Sequence, residues 1–349
     1  NFDFGIKKRN NVSCLSPYIT HRLITEYETA KLVLKKHPFQ KVDKFIQEIF
    51  WRIYWKGWLE LRPKVWTDFI EDLKTIKEDE NYLKAVKGET EIECFNDWIK
   101  ELKNYNYLHN HTRMLFASIW IFTLKLPWQK GAELFMKNLY DGDSASNTLS
   151  WRWVAGIQTK GKNYLAKSWN INKFTNNKYK NVKLNENALP LIDKREYKLN
   201  PLNFIYEDNS NNNLLVFENE LNLENQKLKK YKNIYLILLS NEARMIKLEQ
   251  KVLNYKSEVI NDQKKRFHQI QILNEEKLQT VLEQVKSFDV IHPSIGENYS
   301  YLNGIGKKNN LKFNFILREE DKFSWQFSNK GYFNFKNNIP KILTSLNLQ

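Results

Sequence analysis

The spacing of hydrophobic residues changes near residue 231, and this change limits the folds that the chain can adopt. From Ser16 to about Trp153, apolar residues recur at intervals of three and four, which is typical of helices buried along one face. Beyond residue 231, short apolar runs such as 233–239 alternate with helical patterns, which predicts a parallel α/β layer. The sequence therefore predicts a mainly α domain followed by a smaller, Rossmann-like α/β domain.

These patterns predict a helical domain over residues 1–184, a linker over 185–230 and an α/β domain over 231–349. The linker is polar, rich in Asn and Glu, and contains one short apolar run, Asn213–Phe217, that suits a strand. In the first domain the predicted helices cover 42–61, 92–105, 112–126 and 130–139, with Gly57 and Pro63 closing the first of them. In the last domain the predicted strands cover 233–239, 267–273, 289–291 and 311–317, and the predicted helices cover 242–264, 275–286 and 299–308.

The composition excludes several classes of protein. Hydrophobic residues make up 42% of the 349 residues, so most of the chain is able to bury a core and is not disordered. No apolar stretch approaches the roughly 20 residues that a membrane-spanning helix needs, and we find no secretory signal. Cys14 and Cys94 provide neither a disulfide framework nor a metal-binding spacing. We therefore expect a cytoplasmic protein with no metal and no membrane partner.

Positive charge is concentrated in one stretch. The chain has 55 Lys and Arg against 40 Asp and Glu, which gives a formal net charge of +15. The basic stretch, Ser144–Asn185, contains no acidic residue, and Trp153 and Trp169 lie among its lysines. This pattern is typical of a surface that binds a polyanion with bases to stack on. A solvated, lysine-rich face explains it equally well, so both interpretations stay open.

Four short segments combine polar residues with aromatic or helix-starting ones. Segment 12–17 (VSCLSP) places two hydroxyl groups at a helix start, where free N–H groups bind phosphate. In 48–52 (EIFWR) the acidic and basic ends share one helix face. Segment 109–114 (HNHTRM) leads into an apolar helix, and 141–147 (DGDSASN) leads into a Trp-x-Trp motif at 151–153. Taken singly, each is explained by a helix cap or an ion pair, and neither a zinc site nor a calcium loop is complete.

Together, in this order and spacing, the four segments resemble the FAD-binding domain of the DNA photolyase/cryptochrome family, over roughly residues 11–180. The resemblance implies a photolyase-type helical domain with FAD as its cofactor. It assigns to the cofactor Val12, Ser13, Cys14, Leu15, Ser16, Phe45, Arg52, Asn110, Arg113, Asp141, Gly142, Asp143 and Asn147. Among them, Ser13, Leu15 and Ser16 match the segment that holds the FAD pyrophosphate, and Val12 replaces the family's usual Thr.

The resemblance also implies roles around the flavin ring. Arg113 and Asp141 match an Arg–Asp pair that flanks the isoalloxazine, and Asp143 matches a second carboxylate near the bent cofactor. Asn147 matches the side chain that faces flavin N5, where an amide donates or accepts a hydrogen bond without forcing a charge. Photolyases generally carry Asn at this position, whereas many cryptochromes carry Asp or Cys, so this residue favours repair.

The resemblance further implies a binding site for a flipped pyrimidine dimer, formed by Glu48, Trp51, Asn110, His111 and Trp153. Trp51 and Trp153 would stack on the bases, at about 1–3 kcal/mol per base, and so offset the cost of flipping. Glu48 would stabilise the dimer radical anion by a proton or a hydrogen bond if burial raises its pKa. His111 stands where the family more usually has Arg.

The residues that the resemblance assigns to catalysis are Glu48, Asn147, Trp151 and Trp128. Trp151 and Trp128 match the inner and middle members of a tryptophan chain that passes electrons to photoexcited flavin. The outer position falls in 75–81, which contains no tryptophan. The substitutes that stay open are Tyr82, Trp98 and Trp120.

The resemblance implies light-driven DNA repair, in which excited reduced FAD gives one electron to a cyclobutane pyrimidine dimer in DNA. The alternatives are a cryptochrome-type blue-light photoreceptor that binds FAD without repair, and a flavin-binding single-strand nucleic-acid protein, which only the basic stretch supports. In most photolyases an α/β domain precedes the FAD-binding domain and often holds a folate or deazaflavin antenna chromophore. Here the α/β region follows instead, and 289–296 and 331–343 form a candidate docking edge for such a pigment.

Overall fold

The computed structural model describes residues 12–202, 211–223 and 228–349. The chain divides into two compact units, each built from segments that are distant in sequence. The described residues of the first unit are 12–16, 67–143 and 147–196, and those of the second are 17–66, 144–146, 197–202, 211–223 and 228–349. Every helix in these described ranges is too short or too polar to cross a membrane.

The regular structure of the described residues up to 202 is helical, as predicted. The helices are α1 (Ser16–Thr20), α2 (Glu26–Leu34), α3 (Phe39–Glu60), α4 (Lys64–Thr75), α5 (Glu80–Lys87), α6 (Glu93–Tyr105), α7 (Asn110–Ser118), α8 (Trp128–Asn138), α9 (Ser144–Val154) and α10 (Ser168–Phe174). Helix α7 continues into a π-helical turn, Ile119–Thr123. The four helices predicted from hydrophobic spacing correspond to α3, α6, α7 with its π-helical turn, and α8.

Helix α3 continues through Gly57 to Glu60, so the prediction that Gly57 closes this helix is wrong. A Cβ atom at residue 57 would lie 2.7 Å from the Trp325 indole and 2.6 Å from the Ser328 hydroxyl. Glycine is therefore needed at residue 57 because the C-terminal region packs closely on the helix, and not because the chain turns there. Pro63 lies just beyond the helix end, as predicted.

The second unit contains one sheet, with the strands β1 (Asn213–Phe217), β2 (Asn233–Ile237), β3 (Ile270–Leu273), β4 (Ser287–Ile291) and β5 (Lys312–Ile316). The strand order is β3-β2-β1-β4-β5, and every neighbouring pair is parallel. The remaining helices are α11 (Gln250–Arg266), α12 (Glu275–Gln284), α13 (Glu297–Asn309), α14 (Glu319–Trp325), α15 (Tyr332–Asn337) and α16 (Ile339–Ser345). The parallel α/β layer is confirmed, and its central strand β1 comes from the segment predicted as a linker.

Strand β1 is buried on both faces, which explains its uninterrupted apolar sequence. Leu214 and Val216 belong to one hydrophobic core, whereas Leu215 and Phe217 belong to another. Side chains of a strand alternate between the two faces of a sheet, so these two cores lie on opposite sides of β1. The sheet therefore has apolar layers on both faces, as parallel sheets require.

Helix α11 begins at Gln250, eight residues later than predicted. The Asn241 side chain donates to the Leu248 carbonyl at 2.9 Å and accepts from the Leu248 N–H at 2.7 Å. These two bonds close a loop over residues 242–248, which the helical spacing did not reveal. Arg244 in this loop reaches the buried carboxylate of Glu218.

Glu218 follows β1 directly and is almost fully buried. The Arg244 guanidinium donates to both carboxylate oxygens at 2.6 and 2.8 Å, and Lys256 Nζ lies 3.2 Å from one of them. Burial raises the pKa of this carboxyl, but the two cations outweigh burial and lower the pKa to about 2. The end of β1 thus holds a buried anion, and no glycine-rich phosphate loop follows the strand.

We expect the free energy of unfolding of Glu218→Gln to depend less on pH in the acidic range than that of the wild type. A depressed folded-state pKa means that the carboxylate stabilises the protein above the unfolded-state value near 4.5, and that this contribution is lost as the pH falls toward 2. Lowering the pKa of Glu218 from 4.5 to about 2 corresponds to about 3 kcal/mol of folding stability at pH 7. The variant should lose roughly this free energy of unfolding at pH 7, measured by urea unfolding at a series of pH values. An equally steep acid dependence in the variant would contradict the assignment.

The segments predicted as an antenna docking edge pack against α3 within the second unit. Glu60, the last residue of α3, accepts a hydrogen bond from the Ile295 N–H at 2.7 Å and lies 3.1 Å from His292 Nε2. Helix α15, which belongs to 331–343, also packs on α3. Both segments therefore contribute to the packing that positions α3.

Candidate active site

Helix α3, in the second unit, carries several of the residues that the sequence assigned to the site. Phe45, Glu48 and Arg52 follow one another at intervals of three and four, so they share one face of the helix. Trp51 lies beside them and is partly buried, as is Arg52. The opposite, apolar face of the helix includes the fully buried Phe50. Burial of this apolar face fixes which side chains of α3 remain accessible.

Arg52 lies beside a buried polar cluster. Its guanidinium donates to the Thr20 hydroxyl, and its Nε lies 4.0 Å from a carboxylate oxygen of Glu26. Glu26 is fully buried, and neither its two oxygens nor Arg52 Nε has a hydrogen-bond partner among the described residues. Buried polar atoms without partners are rare, and a polar ligand would satisfy them. The cluster therefore fits a polar cofactor, and no local sequence motif marked Thr20 or Glu26.

Glu48 retains accessible surface. Even so, burial by the surrounding protein atoms raises the pKa of its carboxyl, and nearby Lys44 opposes this rise. The net effect favours the protonated form more than in a free carboxyl group.

In the first unit, Arg113 and Asp141 form an ion pair, as the resemblance implied. The Arg113 guanidinium lies 3.0 Å from an Asp141 oxygen, and Asp141 is almost fully buried. Arg113 Nε also donates to the Leu108 carbonyl at 2.9 Å. At Gly142, a Cβ atom would lie 3.2 Å from the Leu139 carbonyl oxygen, so glycine fits this tight turn best. The turn holds Asp141 in place opposite Arg113.

Asn147 lies in the first turn of α9, four residues after Asp143, whose carbonyl accepts the Asn147 N–H at 2.9 Å. The Asn147 side-chain nitrogen donates to the Ala132 carbonyl of α8 at 2.8 Å. This bond orients the amide and makes its oxygen the atom that is offered as an acceptor. The side chain is therefore positioned before any ligand binds.

The remaining predicted residues of α7 and α9 lie near aromatic rings. His111 Nε2 lies 3.1 Å from the Tyr164 hydroxyl, and Tyr164 stacks on Trp153 with ring centroids 5.8 Å apart. Burial lowers the pKa of His111, which favours the neutral imidazole over the charged form. Asn110, the first residue of α7, is exposed. Trp153 keeps accessible surface, so it is able to stack on a ligand.

The segment that precedes α1 is accessible. Cys14 has a φ of 52°, in the left-handed region, and the Leu15 N–H donates to the Ser13 hydroxyl at 3.5 Å. Ser16 is the first residue of α1. Ser13 and Cys14 are exposed, and Val12, Leu15 and Ser16 are half-buried. The hydroxyl groups that the resemblance assigns to a pyrophosphate are therefore open to a ligand.

Oxidisable rings form a continuous series in the first unit. The Trp151 ring lies 6.3 Å from Trp120, and Trp120 lies 5.9 Å from Tyr82, as measured between ring centroids. Trp98 packs instead on Tyr179, at 6.5 Å. Among the substitutes that the sequence left open, Trp120 therefore contacts the inner member Trp151 directly, and Tyr82 contacts Trp120.

Two further features belong to this aromatic region. Trp128, matched to the middle member of the chain, stacks on Phe69 at 5.6 Å, and the Arg152 guanidinium carbon lies 5.9 Å from the centre of its ring. Gly131 lies so close to the Trp151 ring that a Cβ atom there would overlap it. Glycine at 131 therefore makes room for Trp151. Within the described ranges, no group of three His, Cys, Asp or Glu residues is arranged to hold a metal ion.

Comparison with known proteins gives a consistent result. Residues 45–188 match a family described as the FAD binding domain of DNA photolyase. Deoxyribodipyrimidine photo-lyase of Buchnera aphidicola subsp. Baizongia pistaciae is 32% identical over 173 residues, which cover 47% of this chain and 36% of that protein. The enzyme of the same name from Streptomyces griseus is 34% identical over 149 residues, which cover 42% of this chain and 32% of that protein. A crystal structure of a class III photolyase from Agrobacterium tumefaciens is 23% identical and covers 47% of this chain and 36% of its own, with a TM-score of 0.38.

Residues 45–188 are thus similar to a helical flavin-binding domain. More narrowly, the match is to the FAD-binding domain of DNA photolyase, which confirms the resemblance over this segment and supports FAD as the cofactor. The chain spans about a third of the length of the two curated relatives.

Proposed function

We propose that this protein repairs DNA by light-driven splitting of cyclobutane pyrimidine dimers. The match of residues 45–188 to the photolyase FAD-binding domain carries the proposal. When bound, reduced and excited by light, FAD supplies one electron to the dimer and receives it back after the ring has split. The described side chains would bind the cofactor, hold the lesion and supply hydrogen bonds.

The structure supports specific roles toward FAD. The partnerless buried atoms of Glu26 and Arg52 would bind polar groups of the cofactor. Asp141 fixes the guanidinium of Arg113 through their ion pair. Asn147 offers its amide oxygen, which suits the N5–H of reduced flavin without adding a charge.

Other side chains are suited to the DNA. Trp51 and Trp153 each keep accessible ring surface on which a base is able to stack. The raised pKa of Glu48 suits hydrogen-bond or proton donation to a carbonyl oxygen on which negative charge develops. The basic stretch, Ser144–Asn185, would attract the phosphate backbone.

The decisive test is incubation of the flavin-reduced protein with dimer-containing oligothymidine, in light and in darkness. We expect dimers to disappear only in light. A protein that holds FAD but leaves the dimers intact in light would refute repair and favour the alternative, a cryptochrome-type blue-light photoreceptor. A protein that refuses added FAD would contradict both.

We expect Trp153→Ala to weaken binding of dimer-containing DNA by about 1–3 kcal/mol, because one base loses its stacking partner. Flavin content should not change, and a filter-binding or fluorescence titration would measure the effect. Trp169→Ala is the matched control, since Trp169 also belongs to the basic stretch and is 63% exposed. If both variants lost affinity for damaged and undamaged DNA alike, Trp153 would not be part of the lesion site.

A further inference from the structure

Tyr332, the first residue of α15, lies directly against Trp51 of α3. The two ring centroids are 3.3 Å apart and the ring planes differ by 11°, so the rings are stacked. The Tyr332 hydroxyl donates to the Gln47 carbonyl at 2.8 Å. All three residues belong to the second unit. A side chain from the C-terminal region thus supports a residue that the resemblance assigns to the DNA lesion.

Burial distinguishes the two stacked rings. Tyr332 is only 8% exposed, and its ring also contacts Tyr54 and Phe335, with centroids 5.4 and 6.2 Å away. Trp51 is only partly buried. The tyrosine therefore belongs to the packed interior, and the tryptophan is the outer ring of the pair. The Trp51 ring also contacts Trp55 and Tyr54, with centroids 5.1 and 5.7 Å away, and keeps part of its surface accessible.

We propose that Tyr332 is a substrate-positioning residue, which holds Trp51 in the orientation that stacks on a flipped pyrimidine. This inference rests on the proposed function. A tryptophan free to change rotamer would lose conformational entropy when a base stacked on it, which weakens binding. A stacked tyrosine removes that cost in advance, and the bond from its hydroxyl to the α3 backbone fixes the tyrosine itself.

The charges around Tyr332 are compatible with this role. Burial, together with the nearby carboxylates of Glu48 and Asp43, raises the pKa of Tyr332 well above its usual value. The hydroxyl therefore stays protonated at neutral pH and keeps donating to Gln47. Because the Tyr332 side chain is uncharged, it forms no ion pair with the nearby Glu48. Glu48 therefore stays available for the lesion.

The test compares Tyr332→Phe, which keeps the ring, with Tyr332→Leu, which removes the stack. Affinities of the FAD-loaded full chain for dimer-containing and undamaged oligothymidine would be measured. We expect the Phe variant to resemble the wild type and the Leu variant to bind the dimer about 3- to 10-fold more weakly. Affinity for undamaged DNA, flavin content and dimer splitting per absorbed photon at saturating substrate should not change. Phe333→Leu is the matched control, because Phe333 is the next residue of α15 and is 81% exposed.

A double-mutant cycle separates positioning from general structural damage. In a Trp51→Ala background, Tyr332→Leu should cause no further loss of dimer affinity. An equal loss in both backgrounds would overturn the proposal, and so would unchanged or tighter dimer binding by Tyr332→Leu alone. If the Leu variant does not fold, Tyr332→Met takes its place with the same expectations, because Met adapts to irregular packing.

The same measurements distinguish this inference from the proposed function. A wild-type protein without preference for dimer-containing DNA would overturn both. A wild-type preference that persists at full strength in Tyr332→Leu would overturn only the role of Tyr332.

Discussion

Replacing Trp120 by Phe is expected to remove most of the light-driven reduction of the bound flavin, while flavin content stays unchanged. Trp151, the inner electron donor implied by the resemblance, contacts Trp120, which in turn contacts Tyr82. Indole and phenol rings are readily oxidised, whereas the phenyl ring of Phe is not. An electron arriving from Tyr82 would therefore have no intermediate site in the variant, whereas a route through Trp128, which the resemblance assigns as the middle member, would leave photoreduction intact.

A tyrosine at the end of an electron-transfer route needs a nearby group that accepts its proton, and Tyr82 has one. Its hydroxyl hydrogen-bonds the Glu78 carboxylate, which also accepts from Lys130 Nζ at 2.9 Å. Burial raises the pKa of Tyr82, and the carboxylates of Glu78 and Glu133 raise it further, so the phenol keeps its proton before oxidation. If Tyr82 gave up an electron to an oxidised Trp120, its phenolic proton would pass to Glu78 and leave a neutral tyrosyl radical. Loss of the proton would hinder return of the electron.

The measurement is the bleaching of flavin absorbance under blue light with an external reductant, together with transient absorption of the tryptophan and tyrosyl radicals. Trp98→Phe is the matched control, because Trp98 is also buried but packs on Tyr179. Chemically reduced flavin should support dimer splitting equally in both variants. Normal photoreduction in Trp120→Phe would refute the route, and a loss in Trp98→Phe would point to another one.

Hydrophobic spacing predicted the elements that bury a regular pattern of side chains. Helix α3 was found because its apolar residues recur at intervals of three and four, and strand β2 because it is a short, uninterrupted apolar run. The role of Gly57 was misread because its cause, the contact with Trp325, lies far along the chain. Strand β1 was recognised but placed in a linker, since its Asn-rich surroundings conceal that it is the centre of the sheet.

In the candidate site, too, some residues were predictable from the sequence and others were not. The pairing of Arg113 with Asp141 followed from family resemblance, which carries tertiary information that spacing does not. Tyr332 and Glu26 could not be predicted, because only folding brings them to Trp51 and Arg52. Residues that support a site from distant segments leave no local motif.

The largest effect on stability is expected for Asp321→Ala in the second unit. Asp321 of α14 accepts two hydrogen bonds from the Arg22 guanidinium, at 2.5 and 3.1 Å, and one from the Tyr27 hydroxyl at 3.3 Å. All three side chains are buried, and Arg22 is 1% exposed. Burial raises the pKa of Asp321, but Arg22 outweighs burial and lowers it below its usual value. The aspartate is therefore ionised, and the buried guanidinium depends on it.

Removing this carboxylate would leave Arg22 with Glu220, whose oxygen lies 3.4 Å from Arg22 Nε, and with the weaker influence of Glu26. Loss of one partner of a buried ion pair costs about 3–5 kcal/mol, because the other charge stays desolvated. Urea unfolding followed by circular dichroism would measure this loss. Glu71→Ala is the matched control: Glu71 pairs with Lys74 at 2.7 Å, but both side chains are well exposed, so we expect a change of roughly 0.5 kcal/mol or less. Equal, small effects in the two variants would mean that burial does not set the strength of these pairs, and that α14 is held to the helical segment 17–66 by its apolar contacts alone.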